Sequence, residues 1–262
     1  MAATPPGWQT DLAVLRHTGS IFDDRGDHVI VRTLHNPLYH WGNFVFVTDG
    51  DAVDDAARWT DVFHDAFPAA GWVAVGLVRC PRDVESWSEQ GLTVELDEAL
   101  TTTTLPRQTP LADGYTVRQL DGDDDWAAYV ARALRENDRT QEHEPASHRV
   151  YMEAQARARR GLSERGVGAF FGAFDGAELA ADLGIVRCGT TARYQSVGTD
   201  EAHRRRGLAS HLLGVAARWS ATRGCDRWVI ITESTNPAGR VYRSVGFQPD
   251  LGNAQAYRKP PR

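Results

Sequence analysis

His203-Arg204-Arg205-Arg206-Gly207-Leu208-Ala209 decides how this chain reads, because it joins a strand-like run, 191–199, to a helix-like run, 208–222. A basic, glycine-containing loop that opens a helix makes an anion site for two reasons. The first backbone N–H groups of the helix have no partners inside it, and the helix dipole favours negative charge there. Gly207 lets the backbone approach an anion with no side chain in the way. Taken alone, the stretch has a plainer alternative, a solvated basic helix start.

The residues that follow extend the pattern. Leu208, Leu212 and Ala216 share one helical stripe, with Ala209, Leu213 and Ala217 beside it, the spacing of a buried face. Gly224 is placed to stop that helix, and Trp228-Val229-Ile230-Ile231-Thr232 reads as a short buried strand. Next comes Asn236-Pro237-Ala238-Gly239-Arg240-Val241-Tyr242-Arg243-Ser244-Val245-Gly246-Phe247.

In this order the segment resembles the GNAT superfamily, the acyl-CoA-dependent N-acyltransferases. Arg204, Gly207 and Ala209 fill the three fixed places of that family's pyrophosphate loop. Tyr242 followed by Gly246-Phe247 resembles its second signature. The resemblance covers about residues 113 to 259 and implies the rest of the element order. Tyr115-Thr116-Val117-Arg118-Gln119-Leu120 alternates like a first strand, and the acidic run 121–125 begins a helix carrying Trp126, Tyr129, Val130 and Leu134. A second helix is expected over 147–160, closed by Gly161; strands are expected over 168–174 and 179–186, with Asp175-Gly176 as their turn. The implied fold is α/β (α+β): a mixed, mostly antiparallel sheet with a splayed parallel strand pair and flanking helices, preceded by a smaller α/β N-terminal domain.

What the resemblance implies for chemistry can be named residue by residue. The N–H groups of 204–210, which include Arg205, Arg206, Leu208 and Ser210, would hold the diphosphate of acetyl-CoA or another acyl-CoA. Val197, Gly198 and Thr199, on the strand that splays, would meet the pantetheine arm and the thioester oxygen. Tyr242 stands where many members keep the tyrosine that protonates the departing sulfur, and a phenol remains protonated at neutral pH; the plainer reading is a core tyrosine covering the sheet. Many members place a glutamate on the strand before the loop, but counting back leads to Arg193 with Tyr194, Gln195 and Ser196 beside it, none of them a carboxylate. Glu233 is the nearest acidic candidate for a general base, and it reads equally as an exposed strand end. Asn236 lies six residues before Tyr242, one fewer than usual, so it either contacts the pantetheine arm or caps the last helix. No metal is implied.

Two segments bear on the acceptor. Glu136, Asp138, Glu142, His143 and Glu144 fall in an expected loop, 136–146, that would suit a cationic small-molecule amine, or form an ordinary solvated loop. His35-Asn36-Pro37-Leu38-Tyr39-His40-Trp41-Gly42-Asn43 is either a turn with Trp41 plugging the core or, in the sharper reading, a pocket wall in which Tyr39, His40 and Trp41 meet the acceptor between the two halves.

The 262 residues suit two modest domains, 1–105 and 106–262, with the boundary in 99–113, where Thr101-Thr102-Thr103-Thr104 precedes Pro106 and Pro110. The first half reads as strands at 28–34, 43–48, 72–79 and 92–96 and a helix at 54–67, and is a candidate degenerate GNAT copy. A net charge of −6 argues against nucleic acid as partner, and no apolar run approaches the roughly 20 residues of a membrane span. Cys80, Cys188 and Cys225 are widely spaced and odd in number, which fits small buried or half-buried thiols in a cytoplasmic protein rather than a disulfide or zinc framework. Met1 to Pro6 have neither a basic region nor an apolar core, so no secretory signal is expected. A carrier protein as acyl donor, a non-catalytic acyl-CoA-binding module, and a monomer or homodimer all remain open at this stage.

Overall fold

The protein is described by a computed structural model that covers residues 4–260. Along the chain come α1 (Pro6–His17), β1 (Ile21–Asp24), β2 (His28–Arg32), β3 (Phe44–Val47), α2 (Ala56–Ala66), β4 (Val73–Leu77), α3 (Glu85–Glu89) and β5 (Thr93–Thr102). They are followed by β6 (Tyr115–Gln119), α4 (Gly122–Thr140), α5 (Pro145–Glu164), β7 (Gly168–Asp175), β8 (Glu178–Cys188) and β9 (Thr191–Thr199). The last elements are α6 (Leu208–Ala221), β10 (Arg227–Thr232), α7 (Ala238–Ser244), β11 (Gln248–Pro249) and β12 (Asn253–Arg258).

These elements form two compact units. The first takes the chain up to Ala99, Ile231–Thr235 and the stretch from Asp250 onward; the second takes Leu100–Ile230 and Asn236–Pro249. This differs from a single division at residue 105, and strand pairing is the reason. The segment expected to be a linker begins as strand: β5 continues through Ala99 and Leu100, both fully buried, to Thr102. Threonines suit a pleated, half-buried surface as well as they suit a linker. At the other end, β12 satisfies its backbone on β4 and β5 within the first unit, pairing Ala254 with Leu77 on one side and with Leu96 on the other.

In the first unit the strand order is β1-β2-β3-β4-β12-β5, and β3 and β4 run parallel because α2 carries the chain back between them. Trp59 and Phe63 of α2 pack with Phe44, Phe46, Val75 and Leu77 of those strands. Helix α1, which the sequence reading did not foresee, places Trp8 in that core, and the Trp8 indole N–H donates to the Ala254 carbonyl at 3.2 Å.

In the second unit the order is β10-β9-β8-β7-β6. The β6–β7, β7–β8 and β8–β9 pairs are antiparallel and β9–β10 is parallel. Helices α4 and α5 pack on β8 and β7, and α6 packs on β7, β8 and β9. Leu208, Leu212, Leu213, Ala216 and Ala217 are buried with Ala192, Tyr194, Ile230 and Phe247, as the stripe on α6 requires. The Tyr194 hydroxyl donates to the Leu213 carbonyl at 2.7 Å, fixing α6 to β9.

Some local expectations shift. Gly161 does not close α5, which runs on to Glu164; Gly166, with φ of +67°, follows its end. The β7–β8 turn is Gly176-Ala177 rather than Asp175-Gly176, since Asp175 already pairs with Glu178. Helix α4 continues to Thr140, so Glu136 and Asp138 sit on helix and the expected acidic loop shortens to 141–144. Cys80 is exposed, Cys188 half-buried and Cys225 buried, and none of the three is in a disulfide.

Candidate functional site

The site is built where β9 leaves β10. Their ladder pairs Thr191 with Arg227, Ala192 with Trp228 and Arg193 with Val229, and goes no further. Beyond it β9 stays bound to β8, but through a bulge. Gly184 faces Gln195 and Asp182 faces Gly198, so Ser196 and Val197 together oppose Leu183. Ser196 holds a left-handed φ of 49°, a conformation that costs an ordinary residue about 1–2 kcal/mol. Bulges bend a strand and end its pairing, and they recur beside active sites. Here the bulge falls on Ser196 and Val197 and leads directly into Gly198 and Thr199; Val197, Gly198 and Thr199 are the residues the resemblance marked for the pantetheine arm and the thioester oxygen.

β9 then leads into the basic loop. Arg205 and Gly207 have φ of 62° and 76°, the alternation that turns successive N–H groups to one side as an anion nest. Helix α6 opens without a side-chain cap and with no acidic residue in its first turn. Among the described residues, the main-chain N–H groups of 205 to 210 make no hydrogen bond to protein, whereas the His211 N–H bonds the Gly207 carbonyl at 3.0 Å. Unsatisfied N–H groups at a helix start are the anion-binding part of this motif.

Packing holds the loop. His203 is buried, and its Nδ1 shares a 2.7 Å hydrogen bond with the Tyr115 hydroxyl of β6. Arg204 donates through Nε to the Thr199 carbonyl at 3.2 Å and through Nη2 to Glu136 Oε1 of α4 at 3.2 Å. Arg205, Arg206 and Gly207 are exposed. Tyr115 and Glu136 were not foreseen in these roles, because their partners lie far off in sequence.

The β3–α2 connection of the first unit gives a contrast. It carries Asp49, Asp51, Asp54 and Asp55 in place of arginines. Asp55 caps α2 by accepting from the Arg58 N–H at 3.2 Å. That helix start is already satisfied by its own carboxylate and repels a phosphate.

Tyr242 on α7 is only 4% exposed, and burial pushes its phenol up to about 12, opposed by the positive charge of buried Arg193 on β9. So raised, the group is a proton donor at any physiological pH. Arg193 occupies the strand position where the resemblance led to a glutamate. Glu233 is exposed and falls in the first unit, where its charge contributes to raising Tyr257, chiefly raised by burial. Asn236 Oδ1 accepts from the Ala238 N–H at 3.0 Å, an Asx turn just before α7, whose N-cap is Pro237.

The acceptor candidates are placed as follows. Glu142 and His143 are exposed in the 141–144 connection, which buried Asn137 clamps by bonding the His143 N–H at 2.9 Å and carbonyl at 3.0 Å. Glu136 pairs with Arg204 and Arg139, and Glu144 caps α5 through the Ala146 and Ser147 N–H groups. Trp41 packs against Trp8, Phe44 and Tyr257, while His40 stacks on Trp72 at 4.3 Å. Buried Asn43 accepts from the Thr33 N–H and donates to the Asn36 and Tyr39 carbonyls. The aromatic segment is thus the turn that seals the first unit's core.

One family model, the Acetyltransferase (GNAT) family, matches residues 128–247, which span the bulge, the loop and Tyr242. The chain carries a GNAT acetyltransferase domain. Its fold is shared along the full length. A GCN5-related N-acetyltransferase from Kribbella flavida is 17% identical, with a TM-score of 0.67 over 99% of this chain and 98% of that one. Another, from Sphaerobacter thermophilus, is 17% identical with a TM-score of 0.59 over 92% and 83%. A tandem GNAT protein from the clavulanic acid biosynthesis pathway is 14% identical with a TM-score of 0.56 over 99% and 90%. No curated protein sequence matches the chain. The chemistry of the family is acyl transfer. Among the described residues no helix is long and apolar enough to cross a membrane.

Proposed function

We propose that the second unit moves an acetyl or other acyl group from coenzyme A to the amine of a small molecule, by direct attack without a covalent enzyme intermediate. The observation that carries this reading is the run of unpartnered N–H groups from 205 to 210, flanked by exposed Arg205 and Arg206. Those groups suit a diphosphate, and the α6 dipole adds to their pull. The thioester of the donor supplies an activated carbonyl. Strand β9 offers main-chain groups at Val197 and Thr199 to polarise it, beyond the point where pairing with β10 ends. Tyr242 donates the proton that the departing thiolate needs.

No carboxylate stands at Arg193 to take a proton from the amine. The positive charge there lowers the pKa of a neighbouring amine, so the acceptor binds neutral; on attack its nitrogen sheds one proton, which replaces the one that Tyr242 gives to the thiolate, and no separate base is needed. The first unit, whose helix start is capped by Asp55, serves as a GNAT-like copy that holds no donor. The test is release of free thiol from acetyl-CoA in the presence of a broad amine panel. Thiol release that depends on the amine supports the reading. Tight CoA binding without turnover on any amine favours an acyl-CoA-binding module, and turnover only with an acylated carrier protein favours a carrier-bound donor.

A further inference from the structure

Beside the bulge lies a charged cluster that the loop and Tyr242 leave unused. Asp182 of β8 is 1% exposed and sits opposite Gly198. Its Oδ1 accepts from Nε of Arg132 on α4, and its Oδ2 has no hydrogen-bond partner among the described residues. Arg132 is 9% exposed and lies against Gly198: a Cβ built on that glycine would meet Arg132 Nη2 at 2.5 Å and Nη1 at 3.1 Å. Only Nε of its guanidinium is used; the two terminal nitrogens have no hydrogen-bond partner among the described residues. Arg159 of α5 reaches β9, bonded to the Tyr129 hydroxyl and, at 2.6 Å, to Ser196 Oγ, and its charge also acts on Asp182.

A buried guanidinium with one edge pinned by a carboxylate and the other left open is a preorganised fork for a second carboxylate. A buried ion pair costs desolvation that its own attraction barely offsets, so the pair calls for a role beyond stability. Two of the acidic residues that would have suited a cationic acceptor are engaged elsewhere, Glu136 with Arg204 and Arg139, and Glu144 at the start of α5. We propose that the terminal nitrogens of Arg132, oriented by Asp182 over Gly198, bind a carboxylate of the substrate, so that the acceptor is an amine that also carries a carboxylate. Asp182 is then a positioning residue. This rests on the proposed acyl transfer for the direction of reaction, but not for the binding itself.

The same fork would hold a carboxylate borne by the acyl group, and the experiment separates the two sources. Ligand-observed NMR on the full chain, with and without CoA, would use N-acetylated amino acids and their matched primary amides as probes. A parallel arm compares succinyl-CoA with acetyl-CoA by calorimetry. The acids are expected to bind at least ten times more tightly than the amides, with the preference lost in Arg132→Lys, which keeps the charge beside Asp182 but not the fork. Arg132→Gln combined with Asp182→Asn keeps the buried groups bonded to each other and is expected to lose it as well. Preference for succinyl-CoA over acetyl-CoA, without preference for the amino acids, would move the carboxylate to the acyl group and overturn the acceptor assignment. Equal binding of acids and amides by the wild type, or a preference that survives both variants, would overturn the proposal. A chain that binds no CoA yet selects the acids would sink the acyl-transfer reading and leave the carboxylate site standing.

Discussion

Replacing Tyr242 by phenylalanine removes one hydroxyl from a side chain that is 4% exposed and whose phenol is pushed up to about 12. If that hydroxyl protonates the leaving thiolate, its loss should lower kcat by about 100- to 10,000-fold, the range for a positioned acid, while KM for the donor changes little. The pH dependence follows from the same shift. The wild-type phenol stays protonated to about pH 11, so kcat should show no alkaline fall attributable to Tyr242 below that. Folding stability carries the matching signature. A phenol whose folded pKa lies about two units above its unfolded value contributes about 3 kcal/mol below pH 10, and loses it as pH rises from about 10 to 12. The phenylalanine variant lacks this decline, so its stability relative to wild type should improve across that window. The assays are thiol release from acetyl-CoA with a competent acceptor and urea unfolding at stepped alkaline pH. A variant with kcat within twofold of wild type would refute the proton-donor role, and parallel stability curves from pH 9 to 12 would refute the buried, raised phenol.

Two further outcomes check the architecture. Asn43→Ala deletes the side chain that bonds the Thr33 N–H and the Asn36 and Tyr39 carbonyls, leaving buried polar groups unpaired; unfolding stability should fall by about 2–4 kcal/mol, measured by urea titration. Asp125→Asn breaks the hydrogen bond and ion pair with Arg118 that hold the Asp125 carboxyl below its ordinary 3.8; Tm at pH 7 should drop by about 2–4 °C, with the gap to wild type closing as pH falls below about 4, because a lowered carboxylate pKa stabilises only above that range.

The second unit was legible because its signals are local. The basic loop, the stripe on α6 and the Gly246-Phe247 pair each fall within a single loop, helix or strand start, and β9 has the bounds expected of it. The Arg132–Asp182 pair was not legible, since its members lie 50 residues apart on different elements and each resembles any other surface charge in sequence. The bulge was equally hidden: Ser196 takes a left-handed φ that its residue type does not advertise. Pairing partners explain the remaining surprises. β12 reads as a final strand from its sequence, but which sheet it completes depends on the edges of β4 and β5. Helix length had a similar effect on the acidic segment, where residues 136–140 are helix rather than loop and bring Glu136 onto Arg204 rather than toward an acceptor.

The central claim, that the loop at the start of α6 holds the diphosphate of an acyl-CoA donor, is tested most directly by calorimetry of acetyl-CoA with wild type and Gly207→Trp. Gly207 adopts φ of +76° and is exposed at the mouth of the nest, so an indole there strains the backbone and fills the approach. The account predicts binding at one site per chain in the wild type and at least a 100-fold loss in the variant, with the circular dichroism spectrum unchanged. Equal affinity in the two proteins would place the donor elsewhere and contradict the account.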